Sequence, residues 1–143
     1  MSINQITVFL ENKSGELLRI TKLLSENKVD LRAINIAETA DYGLLRMITA
    51  DNVSAEKVLR EESLIFTETP VLAVAIDDKP GALSNVLEVL AKENLDVHYM
   101  YSIFGHEDGF AYMIMQLGDI ETASKVLKEA GVILAEPKDL RIG

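Results

Sequence analysis

The sequence predicts an α+β protein: two βαββαβ units in tandem, each an antiparallel sheet with helices on one face. Three observations predict it. The chain repeats itself at a shift of 66 residues. Each copy shows the same succession of strand-like and helix-like patterns. One polar loop ending in glycine occurs twice, at the same place in each copy.

Self-similarity at a fixed period marks a chain built from repeated units. Here it runs almost from end to end. Val8 falls on Val74, Lys13 on Lys79, Gly15 on Gly81, Leu17 on Leu83, Leu24 on Leu90, Asp30 on Asp96, and Gly43 on Gly109. Met47-Ile48 falls on Met113-Ile114. With two more residues inserted, Lys57-Val58-Leu59 falls on Lys125-Val126-Leu127, and Glu68 on Glu136.

Each element follows from its own stretch. Ile6 to Leu10 and Val71 to Ile76 are short, apolar and rich in β-branched residues, and read as first strands. The glycine-ending loops come next, Glu11-Asn12-Lys13-Ser14-Gly15 and Asp77-Asp78-Lys79-Pro80-Gly81. Helices follow, with Leu17, Ile20, Leu23 and Leu24 on one face of the first. Leu83, Val86, Leu87 and Leu90 hold the same places in its copy. Glu26-Asn27-Lys28 and Lys92-Glu93-Asn94 close these helices. Second strands run from about Leu31 to Glu38 and Val97 to Phe104. The turns Thr39 to Gly43 and Gly105 to Gly109 end in glycine, which accepts positive φ, and suit hairpins. Third strands (Leu44 to Thr49, Phe110 to Gln116), second helices (Val53 to Glu62, Ile120 to Ala130) and short last strands (Leu64 to Thr67, Val132 to Ala135) complete the units.

This order is the ferredoxin-like split βαβ arrangement, two helices over a four-stranded antiparallel sheet. Glu68-Thr69-Pro70 is the whole link, which sets the domains at residues 1–69 and 70–143. Units this small are marginal alone and are expected to pack on each other.

Composition narrows the function. The chain has 143 residues, nearly half of them apolar, and no run near the ~20 needed to span a membrane. Met1 to Gln5 has neither the basic start nor the apolar stretch of a signal peptide, so a cytoplasmic protein is expected. There is no cysteine, which removes disulfides, thiolate metal sites and thiol nucleophiles. A net charge of −9 with no basic cluster disfavours nucleic acid.

The repeated loop is where chemistry is expected. A helix N-terminus offers free backbone N–H groups and partial positive charge, which suits a carboxylate. The Asp78 or Asn12 side chain can accept a bond from an ammonium group. Such a loop can hold both ends of a free amino acid. It also reads as a tight turn that merely stops a strand.

Asp78-Lys79-Pro80-Gly81-Ala82-Leu83, with Glu93-Asn94-Leu95-Asp96-Val97 after the helix, resembles the signature of ACT domains. Asn12-Lys13-Ser14-Gly15-Glu16-Leu17 and Asn27-Lys28-Val29-Asp30-Leu31 match it in the first repeat. Essentially the full chain is similar to stand-alone tandem ACT proteins. The resemblance implies a regulatory module that binds a free amino acid, with two domains packed side by side and the ligand at their interface. It implies contacts from the first loop of one domain and the second strand of its neighbour. Carried onto this chain, the ligand-binding positions are Glu11, Asn12, Ser14, Gly15, Glu16, Leu17 and Asn35 in the first repeat. In the second they are Asp78, Lys79, Gly81, Ala82, Leu83, Tyr99 and Tyr101. Ser14 in place of proline and Asn12 in place of aspartate depart from the pattern, so the two sites are expected to be unequal. A homodimer is expected as well, because the second and third strands would otherwise expose apolar edges.

The other candidates are weaker. His98 lies in a strand beside Tyr99 and Tyr101, where a structural or surface role is the ordinary one, but its strand is expected to border the proposed site, which leaves a ligand role open. His106-Glu107-Asp108 lies in a hairpin turn, and three adjacent residues cannot all point at one ion. Arg46, within an apolar strand, suits an edge or interface. With no triad or metal cluster in view, no catalytic residue and no cofactor are assigned. Two readings remain: an amino-acid sensor, or a ligand-free interaction module regulating a metabolic enzyme.

Overall fold

The computed structural model describes residues 3–11, 13–39, 41–105 and 109–143. The elements run β1 (Ile3–Glu11), α1 (Glu16–Glu26), β2 (Leu31–Glu38), β3 (Tyr42–Thr49), α2 (Asn52–Glu61), β4 (Phe66–Asp77), α3 (Ala82–Lys92), β5 (Val97–Ser102), β6 (Phe110–Leu117), α4 (Ile120–Glu129) and a 3-10 turn (Pro137–Leu140). The chain divides into two compact units. One is Asn4–Thr69 with Arg141–Gly143, and the other is Pro70–Leu140 with Ile3.

In the first unit β1 pairs antiparallel with β3, Val8 opposite Leu45 and Leu10 opposite Gly43. β2 pairs with the far side of β3, Ile34 opposite Met47 and Ile36 opposite Leu45. β4 flanks β1 on its other side, where the Phe9 N–H donates to the Ile65 carbonyl at 2.9 Å. Strand residues alternate between faces, so Ile6, Val8, Leu10, Leu45 and Met47 share the face under the helices. There they pack with Ile20, Leu24, Ala55, Val58 and Leu59 in one buried cluster.

The second unit repeats the plan. Leu72 and Val74 of β4 stand opposite Met115 and Met113 of β6, and Met100 of β5 opposite Met115. Leu72, Val74, Met115 and Leu117 pack with Val86, Leu90, Ala123 and Leu127. Three details differ from expectation. The link Glu68-Thr69-Pro70 is itself strand: β4 runs through it without a break. The last strand is reduced to one bridge, Val74 with Leu134, supported by Ala75 N–H to Ile133 carbonyl and Ala135 N–H to Ala73 carbonyl. It stops because Asp139 Oδ2 accepts from the Glu136 N–H at 2.8 Å and Pro137 starts the 3-10 turn. Leu17 and Leu83, expected in the core, are 40% and 36% exposed. The buried stripe instead steps by four from the first helical residue: Glu16, Ile20, Leu24 and Ala82, Val86, Leu90.

The four α-helices among the described residues stop in one way. A residue with left-handed φ follows the last turn: Lys28 (59°), Ser63 (57°), Asn94 (55°) and Gly131 (82°). The next N–H then donates back to the carbonyl five residues earlier, at 2.9–3.0 Å: Val29 to Leu24, Leu64 to Leu59, Leu95 to Leu90 and Val132 to Leu127. This closes carbonyls the helix end would leave open.

The helix starts fall into two kinds. α2 and α4 are capped by Asp51 and Asp119, which accept from the Ser54 and Thr122 N–H groups and hydroxyls. Those side-chain hydrogen bonds, then the backbone ones, hold both aspartates below the ordinary carboxylate range. α1 and α3 start at glycines, Gly15 and Gly81, with no side-chain cap.

Candidate functional site

The uncapped starts belong to the repeated loop. Gly15 and Gly81 take left-handed φ of 85° and 86°. The loop bonds match one for one: Lys13 N–H to Glu11 carbonyl and Lys79 N–H to Asp77 carbonyl, both at 2.9 Å. Arg19 N–H then donates to the Gly15 carbonyl, and Asn85 N–H to Gly81. Two copies of one backbone trace thus bring an uncapped helix start, with its partial positive charge, to the end of a strand.

A cavity adjoins each loop, but on different flanks. The first, of about 360 Å3, lies between the loop and the β2–β3 hairpin, lined by Leu10, Glu11, Lys13, Ser14, Glu16, Leu17, Ile36, Glu38 and Gly43. The second, of about 250 Å3, lies between α3, the end of β4 and the chain after α4. Asp77, Lys79, Ala82, Asn85, Val86 and Gly131 to Ile133 contribute to its lining. The residue facing each cavity from the first helical position differs most. It is Glu16 in one repeat and Ala82 in the other, both buried. Glu16 Oε1 accepts from Arg19 Nε at 2.6 Å, and Lys13 Nζ stands 3.8 Å from Oε2 and 3.2 Å from Glu11. In the second repeat Lys79 and Asp77 face each other at 3.9 Å.

The model for the ACT domain pair matches residues 1–141. The chain belongs to the ACT domain pair family. Its fold is close to the crystal structure of protein BT0572 from Bacteroides thetaiotaomicron, with TM-score 0.91 and 35% identity over 99% of this chain and 96% of that one. The ligand-free regulatory subunit of aspartate kinase from Thermus thermophilus shares the fold at TM-score 0.61 and 14% identity, over 89% and 91% of the two chains. The corresponding subunit from Thermus flavus does so at 0.58 and 13%, over 87% and 88%. No curated protein matches the chain by sequence.

In this ACT pair the expected residues separate into groups. Glu11, Ser14, Glu16 and Leu17 line the first cavity, and Lys79 and Ala82 the second. Gly15 and Gly81 cap the helices, with open space where a Cβ would stand. Asn12 lies outside the described residues, as does the His106-Glu107-Asp108 turn. Asp78 is exposed, its N–H bonded to the Gly109 carbonyl at 2.8 Å. Asp77, not Asp78, lines the second cavity, and Leu83 does not line it.

The strand residues lie apart from these cavities. Ile34 packs in the first core and Ile36 lines the first cavity, so Asn35 between them is on the opposite face. It accepts from Arg46 Nη1 at 3.1 Å. Met100 packs in the second core, so Tyr99 and Tyr101 share the other face, stacked with ring centres 6.4 Å apart. His98 is exposed, its Nδ1 2.7 Å from Gln116 Oε1. Among the described residues no group of three His, Cys, Asp or Glu gathers to hold a metal ion, and no helix is long and apolar enough to cross a membrane.

Glu38, Gly43 and the Gly131 to Ile133 segment escaped sequence reading. Glu38 was reachable by counting in twos from Ile34 and Ile36. Gly43 was reachable as the hairpin return opposite Leu10. Nothing local to residues 131–133 marks them as a cavity wall.

Proposed function

We propose that this ACT pair is a non-enzymatic sensor that binds a free amino acid at the repeated loop and passes the occupancy on to a metabolic enzyme. The observation that carries the reading is the doubled loop itself: an uncapped helix start beside a cavity, with acidic side chains on its rim. The N–H groups of the first helical turn receive the ligand carboxylate. Glu11 in the first repeat, and Asp77 and Asp78 in the second, are the acids offered to its ammonium group. A cavity of this size with apolar walls and a few polar groups suits a small ligand. The domain division at residues 1–69 and 70–143, a homodimer and a cytoplasmic setting belong to the same proposal.

The test is a thermal-shift screen of the protein with each common amino acid. A ligand that binds only the native state raises the melting temperature with concentration. A concentration-dependent rise with one amino acid or a few supports the sensor. No rise with any of them at millimolar concentration leaves the ligand-free interaction module.

A further inference from the structure

The two loops share a backbone and differ in charge. The first cavity has three carboxylates, Glu11, Glu16 and Glu38, against one lysine, Lys13. The second balances Asp77 with Lys79 and has Ala82 where the first has Glu16. Glu16 stands apart from ordinary surface acids because it is only 6% exposed. Both its cationic partners are exposed side chains, Lys13 at 62% and Arg19 at 45%, so each can swing into water while the carboxylate stays in place. A buried carboxylate requires a cation near it, and one arriving in the cavity can replace Lys13, which sits at a long 3.8 Å. Apart from Ser14 and Gly43, the remaining wall is apolar: Leu10, Leu17 and Ile36. Leu17 and Ile36 stay 40% and 45% exposed, a surface that the carbon chain of a ligand would cover.

We infer that the first-repeat cavity selects a ligand with a second positive charge at the end of a short carbon chain, a basic amino acid, and that Glu16 is the selecting residue. The inference rests on the reading that this loop binds an amino acid, and it assigns charge selectivity to one repeat only.

Calorimetry on the full chain tests it with L-ornithine and L-norleucine, which differ by a terminal ammonium in place of a methyl group. Ornithine should bind at least tenfold more tightly than norleucine. Glu16→Gln should bring the two within about threefold by weakening ornithine, while norleucine changes little. Ala82→Glu should raise the ornithine preference. A purely structural role for Glu16 would lower the melting temperature of Glu16→Gln and leave the ornithine-to-norleucine ratio as it was. That result overturns the inference, as does norleucine binding as tightly as ornithine, and either leaves the amino-acid site standing. Failure of every common amino acid to bind, ornithine included, removes the site itself and the selectivity with it.

Discussion

The carboxyl of Glu56 on α2 is set against that of Glu68 on β4, and only the first repeat has this pair. At the matching positions of the second repeat stand Ser124 and Glu136, and Glu136 is paired with Lys138 at 3.8 Å. Glu56 Oε1 accepts from Arg60 at 3.3 Å, while Oε2 is sealed from solvent with no donor in reach among the described residues. Burial first, then the neighbouring Glu68, pushes the Glu56 pKa up to about 7, with Arg60 pulling the other way. A proton on Glu56 turns the orphan oxygen into a donor toward Glu68.

Stability should therefore fall across the neutral range. The folded state holds the Glu56 proton up to about pH 7, and the unfolded chain releases it near the ordinary value of 4.5. The contribution is fully present below pH 4.5 and is lost as pH rises through about 7. Glu56→Gln should flatten this slope and stabilise the protein at pH 8, by about 1–3 kcal/mol for an unsatisfied buried group. Urea melts of both proteins from pH 5 to 8 measure it, and parallel pH curves would refute the assignment.

The loop glycines separate strain from crowding. No atom lies within 4 Å of a Cβ built on Gly81, but its φ of 86° is unfavourable for any other residue. Gly81→Ala should destabilise by about 1–2 kcal/mol from backbone alone. Gly131→Ala, with φ of 82°, should cost about the same by chemical denaturation. Equal stability to the parent in both would contradict the left-handed assignment.

The second-repeat acids are expected to act unequally. Both are exposed, but Asp77 lines the cavity and Asp78 does not. With a ligand in hand, Asp77→Asn should weaken binding roughly tenfold to a hundredfold, the loss of one charge-assisted hydrogen bond. Asp78→Ala should weaken it less. The reverse order in calorimetry would move the ammonium site to Asp78.

Association should be visible in solution. β2 pairs with β3 and β5 with β6, and neither has a second strand partner among the described residues. Open edges of this kind recruit other strands. Light scattering should return twice the mass of one chain, and a clean monomer at working concentration would count against a dimer.

The helices and inner strands were readable because their apolar spacing is strong. Ile20, Leu24, Val86 and Leu90 are buried where the pattern put them. Leu17 and Leu83 misled because the stripe begins one residue earlier, at Glu16 and Ala82, and a glutamate does not announce itself as inward. The continuity of β4 was hidden by Pro70, which lacks an N–H and reads as a break, although a strand tolerates it where that N–H is not needed. In the site, the loop was readable and its walls were not. Each cavity is closed by residues distant in sequence, the β2–β3 hairpin in one case and the segment after α4 in the other.

The helix stops show what the two halves of this chain still hold in common. Lys28 and Asn94 occupy the same place in each half and share no chemistry, yet their φ angles are 59° and 55°. Ser63 and Gly131 form the second such pair, at 57° and 82°. If the halves descend from one ancestral segment, the thing inherited at these corners is a torsion, with the side chain free to drift. Residue identity understates the kinship of such halves, and backbone angle preserves its record.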